Sequence, residues 1–196
     1  AYLHSAIKNK LTEIKFHGYG KQKVDKVYTD QYHQLWITTE KPGVTRFNIA
    51  NSESKYYQLT PEYLAPTIDL ERPVFFEDGN KNLWIGTHGG GLVRYNRMED
   101  KFEEFRNNAN DDYSIPSNIV HCIAQDPSGQ LWVGTGQYRG GLVKIITENK
   151  AFRNIIPNNN QNSQVDNVVR AIMEDPAGHL WVATKSGHIY IYDANG

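Results

Sequence analysis

The chain is poor in cysteine. Of its 196 residues only Cys122 is one, and it lies in the apolar run IVHCIA. A disulfide framework or a multi-cysteine metal site within the chain is therefore excluded. An excess of charge is missing too: 21 Lys and Arg face 22 Asp and Glu, for a net charge of −1. With its basic residues scattered, the sequence carries no electrostatic footprint for nucleic acid or an anionic membrane, and neither is an expected partner. No apolar run approaches the roughly 18 residues that span a bilayer. Ala1 to His17 also lacks the apolar core of a signal peptide. The start reads as an interior cut, with any signal peptide or transmembrane helix outside the chain. No segment has helical periodicity.

What is present is repetition. DPSGQLWVGT at 126–135 has a near-twin in DPAGHLWVAT at 175–184 and looser copies in DGNKNLWIGT at 78–87 and DQYHQLWITT at 30–39. Trp36, Trp84, Trp132 and Trp181 follow one another at intervals of 48, 48 and 49 residues, a spacing that signals blades, solenoids or arrays. The third copy reads as strands: NIVHCIAQD (118–126), LWVGT after a turn, and GGLVKII (140–146). KYYQL (55–59), KFEEF (101–105) and AFRNI (151–155) alternate polar and apolar residues, as a more exposed fourth strand does. In DPSG and DPAG, Asp at i, Pro at i+1 and Gly at i+3 suit a type I turn. A four-stranded antiparallel unit of this length needs neighbours to bury its faces, which predicts an all-β fold of β-propeller blades. The tryptophans, set between Leu and Ile or Val, are expected in the packing between blades.

VHCIAQDPSGQLWVGTGQYRGGLVKI (120–145) and FFEDGNKNLWIGTHGGGLVRYN (75–96) resemble the two-component regulator propeller repeat. The first and fourth copies depart from it at TTEKPGVTRF and ATKSGHIYIY, where GT and GGL are lost. The resemblance implies the periplasmic sensor region of a hybrid two-component system, ahead of a transmembrane helix and responding to an oligosaccharide. It also implies as partners the other blades and domains of the same sensor, with a homodimer possible. Such propellers are commonly seven-bladed, so the chain is expected to be part of a larger ring. The boundaries expected are the end of a preceding blade at 1–17, blades at 18–64, 65–112 and 113–162, and a partial blade at 163–196. The alternative is a compact four-bladed ring, closed by LTEIKF (11–16) pairing with the last blade.

Two sets of residues are candidates for ligand contact. Connections between second and third strands emerge on one rim, opposite the Asp turns, and carry His88, Tyr138, Arg139 and Lys185. Tyr stacks on a sugar face, while Arg and Lys pair with a carboxylate or sulfate. Eleven residues before each Trp stand Asp25, Pro73, His121 and Arg170, expected to ring the mouth of the central channel. The plain readings are a solvated loop for the first set, and hydrogen bonds between blades or to channel water for the second.

Other chemistry fails on spacing. DGNKN (78–82) opens like a calcium loop, but Leu83 stands where Gly is needed. GTGQYRGG leads to a strand, not to the helix N-terminus of a phosphate cradle. No cofactor or metal is expected, and no catalytic residue is nominated. Two other function classes stay open. The repeat also resembles metal-dependent lyases of the streptogramin-inactivating type, for which His88 or His121 would be the catalytic candidate. A purely structural or dimerisation propeller is the other.

Overall fold

The computed structural model describes residues 2–5, 10–13, 23–39, 43–59, 69–136, 140–146, 151–155 and 167–193, and no helix occurs among them. The chain opens with an antiparallel hairpin of β1 (Tyr2–Ser5) and β2 (Lys10–Glu13). Thus LTEIKF contributes its first residues to a strand that pairs with β1 and not with the last sheet. Residues 14–16 lie outside the described residues.

Three four-stranded meanders follow. The first runs β3 (Val24–Thr29), β4 (Gln34–Thr39), β5 (Val44–Asn48) and β6 (Ser54–Tyr57). The second runs β7 (Asp69–Glu77), β8 (Leu83–His88), β9 (Leu92–Asn96) and β10 (Lys101–Phe105), and the third β11 (Val120–Gln125), β12 (Leu131–Thr135), β13 (Gly141–Ile146) and β14 (Ala151–Ile155). The fourth sheet has three strands among the described residues: β15 (Val169–Glu174), β16 (His179–Thr184) and β17 (Ile189–Asp193).

The repeated decapeptide is one hydrogen-bonded unit. In each sheet the turn Asp accepts the indole N–H of the Trp six residues on: Asp30 from Trp36 at 2.9 Å, Asp78 from Trp84 at 2.8 Å, Asp126 from Trp132 at 2.8 Å and Asp175 from Trp181 at 2.9 Å. Its other oxygen accepts the backbone N–H four residues on, those of Gln34, Asn82, Gln130 and His179. One carboxylate thereby closes the turn and orients the indole. The fourth turn residue has positive φ throughout, at 57° in His33, 67° in Lys81 and 87° in Gly129 and Gly178. Glycine fits there without strain, and the first two copies bear a non-glycine cost of about 1 kcal/mol.

The oriented tryptophans are the contacts between sheets. Trp36 packs on Leu83, Ile85, Val93 and Tyr95 of the second sheet, Trp84 on Leu131, Val133 and Phe152 of the third, and Trp132 on Val169, Leu180 and Val182 of the fourth. The glycine of the GT pair lets the next sheet come close. A Cβ on Gly86 would run into Val120 of the third sheet, and one on Gly134 would lie 2.6 Å from Val169 of the fourth. On the fourth sheet the corresponding face is open among the described residues, with Met173, Ile189 and Ile191 exposed and Trp181 half-buried.

Polar contacts also cross between sheets. Asp100 of the second sheet accepts from Arg46 at 2.8 Å and Tyr57 at 2.6 Å of the first, as well as from Tyr95 and Lys55. Burial opposes its charge, yet the bonds from Lys55, Tyr57 and Tyr95 hold the Asp100 carboxyl well below the usual carboxylate range. Arg97 joins Asp30 at 3.0 Å to Glu77 at 3.2 Å.

The residue just before the turn Asp makes a further link, and in the fourth sheet that link is broken. Glu77 accepts from Gln31 N at 2.9 Å, and Gln125 from Gly79 N at 2.7 Å, each time in the preceding turn. The corresponding donor for Glu174 would be residue 127, a proline with no N–H. Gln125 also donates from Nε2 to Gly129 O at 2.8 Å. Glu174 Oε1 takes the equivalent place beside Gly178, offers no proton when ionised, and is buried without a partner among the described residues. Burial and the charges of Asp126 and Asp175 push the Glu174 carboxyl up.

Two outcomes are expected. Asp78→Ala, which strips the acceptor from Trp84 Nε1 and from the amides of Asn80 and Asn82, should cost about 3 kcal/mol in urea unfolding. A loss under about 0.5 kcal/mol, the size of an ordinary surface change, would count against the bridge. Glu174 binds its proton more tightly folded than unfolded, so its contribution favours folding below its ordinary 4.5 and is lost as pH rises above it. Glu174→Gln should therefore raise the melting temperature at neutral pH and leave it unchanged at acid pH; an equal effect at both would refute the assignment.

Candidate ligand-binding site

The innermost strand of every sheet is irregular at one place. In β3 the register skips Asp25, in β11 His121 and in β15 Arg170, each the extra residue of a bulge, and β7 shifts between Asp69 and Val74 around Pro73. A bulge re-aims a side chain that a regular strand would point elsewhere. These are the four positions eleven before the tryptophans, so the sequence position corresponds to a backbone device.

The loop after β8 brings a second residue to this place. His88 pairs through its backbone with Ile119 of the third sheet, and the amides of Gly89 and Gly91 donate to Asn118 O at 2.9 and 2.8 Å. With the loop stitched to the next sheet, His88 Nε2 lies 3.0 Å from His121 Nδ1, and the rings cross edge to face at 4.8 Å. His121 Nε2 lies 3.0 Å from Gly136 O, which can only accept, so that nitrogen carries the proton. Nδ1 of His121 is then the acceptor and His88 Nε2–H the donor.

The fourth sheet supplies positive charge. Arg170 and Lys185, the residue after β16, are exposed. Lys185 is anchored by its amide, which donates to Val168 O at 2.9 Å. Burial first, then the charges of Arg170, His88 and Lys185, bring the His121 imidazole down to about 4. At neutral pH it is an uncharged, oriented hydrogen-bonding group beside two cations. Among the described residues neither Arg170 nor Lys185 forms an ion pair, whereas Arg46, Arg94, Arg97 and Arg106 each reach a carboxylate.

Of the seven candidates, His88 and His121 are thus brought into contact from adjacent sheets, and the charges of Arg170 and Lys185 act on His121 from the fourth. Asp25 is placed differently. Its side chain is only 4% exposed, with Lys23 Nζ at 3.8 Å and Oδ2 unpartnered among the described residues. Tyr138 and Arg139 lie outside the described residues. Sequence reasoning missed Asn118, whose carbonyl holds the His88 loop; its only signal was its place three residues before His121. On the opposite rim a polar depression of about 520 Å³ runs along the first sheet beside Gln34, Asn48 and Glu53. Its cations, Arg46 and Lys55, already serve Asp100. No group of three metal-ligating side chains occurs among the described residues.

Comparison with known proteins fits this architecture. The family model described as two component regulator propeller matches residues 114–137 and 163–186. Histidine kinase P4 of Formosa agariphila is 29% identical over 70 residues, 35% of this chain and 5% of that protein. The extracellular domain assigned to the hybrid two component system BT3049 of B. thetaiotaomicron has a TM-score of 0.61 at 20% identity, covering 98% of this chain and 24% of that one. Virginiamycin B lyase from Staphylococcus aureus also has a TM-score of 0.61, at 17% identity, covering 98% and 62%. At these identities the structural likenesses concern the fold alone. The chain spans only a small part of the signalling proteins it matches. Its sheets are successive β-propeller blades, and residues 114–137 and 163–186 match the two-component regulator propeller repeat.

Proposed function

We propose that the chain is a ligand-sensing segment of an extracytoplasmic, periplasmic signalling domain, and that it binds an oligosaccharide where His88, His121, Arg170 and Lys185 converge. The observation that carries this reading is the convergence itself. A stitched loop of the second blade and a bulge of the third bring His88 and His121 into contact, and two cations of the fourth, whose charges act on His121, lack carboxylate partners among the described residues. Sugars present hydroxyls on many sides, and donors from several elements are what hold them. The family match supplies the signalling context.

A saccharide held by three blades signals only if it binds one arrangement of the sensor better than another. Its contacts with neighbouring domains, or with a second copy, would supply that difference. The segment acts without chemistry of its own in this reading. The two histidines 3.0 Å apart, together with the fold of virginiamycin B lyase, support a second reading as a metal-dependent lyase. Turnover that requires added metal and vanishes in His88→Ala would decide for it.

The binding test is calorimetric titration with a panel of neutral and acidic oligosaccharides. Arg170→Ala with Lys185→Ala, both at exposed positions, should leave the melting temperature unchanged and weaken saturable binding by about tenfold or more. Binding of unchanged affinity in the double variant would remove the site from this rim.

A further inference from the structure

On the rim opposite the histidines, the second Asp turn holds a reactive pair of residues. We propose that Asp78 is a site of spontaneous isomerisation to isoaspartate, held in check by Gln125 of the next blade, so that the modification marks openings between the second and third blades.

The chemistry is set by the sequence. The residue after the turn Asp is Gln31, Gly79, Pro127 and Pro176 in the four copies, and Asp78–Gly79 is the one Asp–Gly step in the chain. In such a step the glycine amide nitrogen attacks the side-chain carboxyl carbon. The nitrogen gives up its proton, the carboxyl leaves as water, and a succinimide ring closes. Water then opens the ring. Attack at the side-chain carbonyl restores aspartate, and attack at the main-chain carbonyl leaves the backbone running through the side chain, as isoaspartate. Nothing is oxidised or reduced, and the water lost is regained. A side chain on the following residue shields the nitrogen, and a proline there has no proton to give. Of the four turns, the second is therefore the reactive one by composition.

The structure ties down both reactants. Gly79 N–H donates to Gln125 Oε1 at 2.7 Å across the blade boundary, and Gln125 is itself fixed by its Nε2, which donates to Gly129 O at 2.8 Å. The Asp78 carboxylate accepts from Trp84 Nε1 at 2.8 Å, from the amides of Asn80 and Asn82 at 2.9 and 2.8 Å, and from Asn82 Nδ2 at 2.9 Å. Asp78 is buried while Gly79 is exposed, so solvent reaches the nitrogen once Gln125 lets go. Glycine also admits the link, because a Cβ at position 79 would stand only 3.3 Å from Gln125 Oε1. The residue that invites the reaction thus accepts the clamp that stops it. Isomerisation would be final for the blade. It lengthens the turn by a methylene, and the carboxylate left on Cα lacks the reach to Trp84 Nε1.

The test is incubation of the chain at neutral pH over weeks, with isoaspartate at position 78 followed by peptide mapping that separates it from Asn195–Gly196, the one Asn–Gly step. The chain unfolded in urea should isomerise at Asp78 fastest and the folded chain slowest. Gln125→Ala removes the acceptor and should quicken the folded-state reaction about fivefold, the effect of one hydrogen bond on a local opening. Gln125→Glu keeps an acceptor, as Glu77 does for Gln31 N, and should hold the original rate. Val182→Ala, a core loss in the fourth sheet, should lower the melting temperature without quickening the reaction. Gly79→Gln, which copies the first turn, should suppress the product even in urea. No isoaspartate at position 78 in the unfolded chain would remove the site. A Gln125→Ala rate equal to the original, or matched by Gln125→Glu or Val182→Ala, would overturn the clamp.

Discussion

One carboxylate per blade organises the molecule. The turn Asp satisfies backbone amides of its own turn and the indole N–H of the Trp that faces the next sheet. A hydrogen bond of this kind contributes only about 1–3 kcal/mol. Burial of the apolar side chains between sheets contributes far more in sum, at roughly 1.5–3 kcal/mol for each large one. The bond's importance is directional. An indole with its N–H bound to Asp presents its ring to the following sheet at one angle, and the GT glycine clears the space beside it. Turn, strand and inter-blade contact are thus one decision made by ten residues, which is why those residues recur.

The rim opposite the Asp turns is the part this unit leaves free to vary. The Asp turns close one end of every sheet with nearly the same chemistry. At the other end a loop joins the second and third strands, and a bulge in the first strand frees one side chain from the pleat. That bulged position is Asp, Pro, His and Arg in the four copies. In three of the copies, at Asp25, His121 and Arg170, it is the single extra residue of a bulge, so its chemistry can change without disturbing the core. Between the second and third blades the loop is also tied across the interface by Asn118 and Ile119, which couples the placement of His88 to the relative position of the two sheets. A ligand that touches His88 and His121 therefore touches an interface.

The fold was readable because its determinants are local and repeated. The interval between tryptophans, the Asp–Pro–Gly turn and the alternation in KFEEF each report a constraint that acts within a few residues. The site was readable only in part. Position eleven before the Trp marked His121 and Arg170, and the loop marked His88 and Lys185, but nothing local says that His88 of one sheet meets His121 of the next. Asp25 shares the sequence position and the bulge of His121, yet its carboxylate is buried. What surrounds a bulge depends on the adjacent sheets, and the sequence of one repeat does not report on its neighbours. The broken link at Glu174 was hidden for the same reason. It arises from Pro127, 47 residues away in sequence and one blade away in space.

The claim that the rim is a binding site stands or falls on the two imidazoles, and ring-nitrogen chemical shifts report them directly. Nitrogen-labelled histidine spectra of the chain would be followed while the oligosaccharide selected by calorimetry is added. The result expected is that His121 starts as the neutral Nε2–H form with Nδ1 accepting, and that among the seven histidines the ligand moves the resonances of His88 and His121. Saturable binding that leaves both rings unmoved, or a free His121 protonated on Nδ1, would contradict the account.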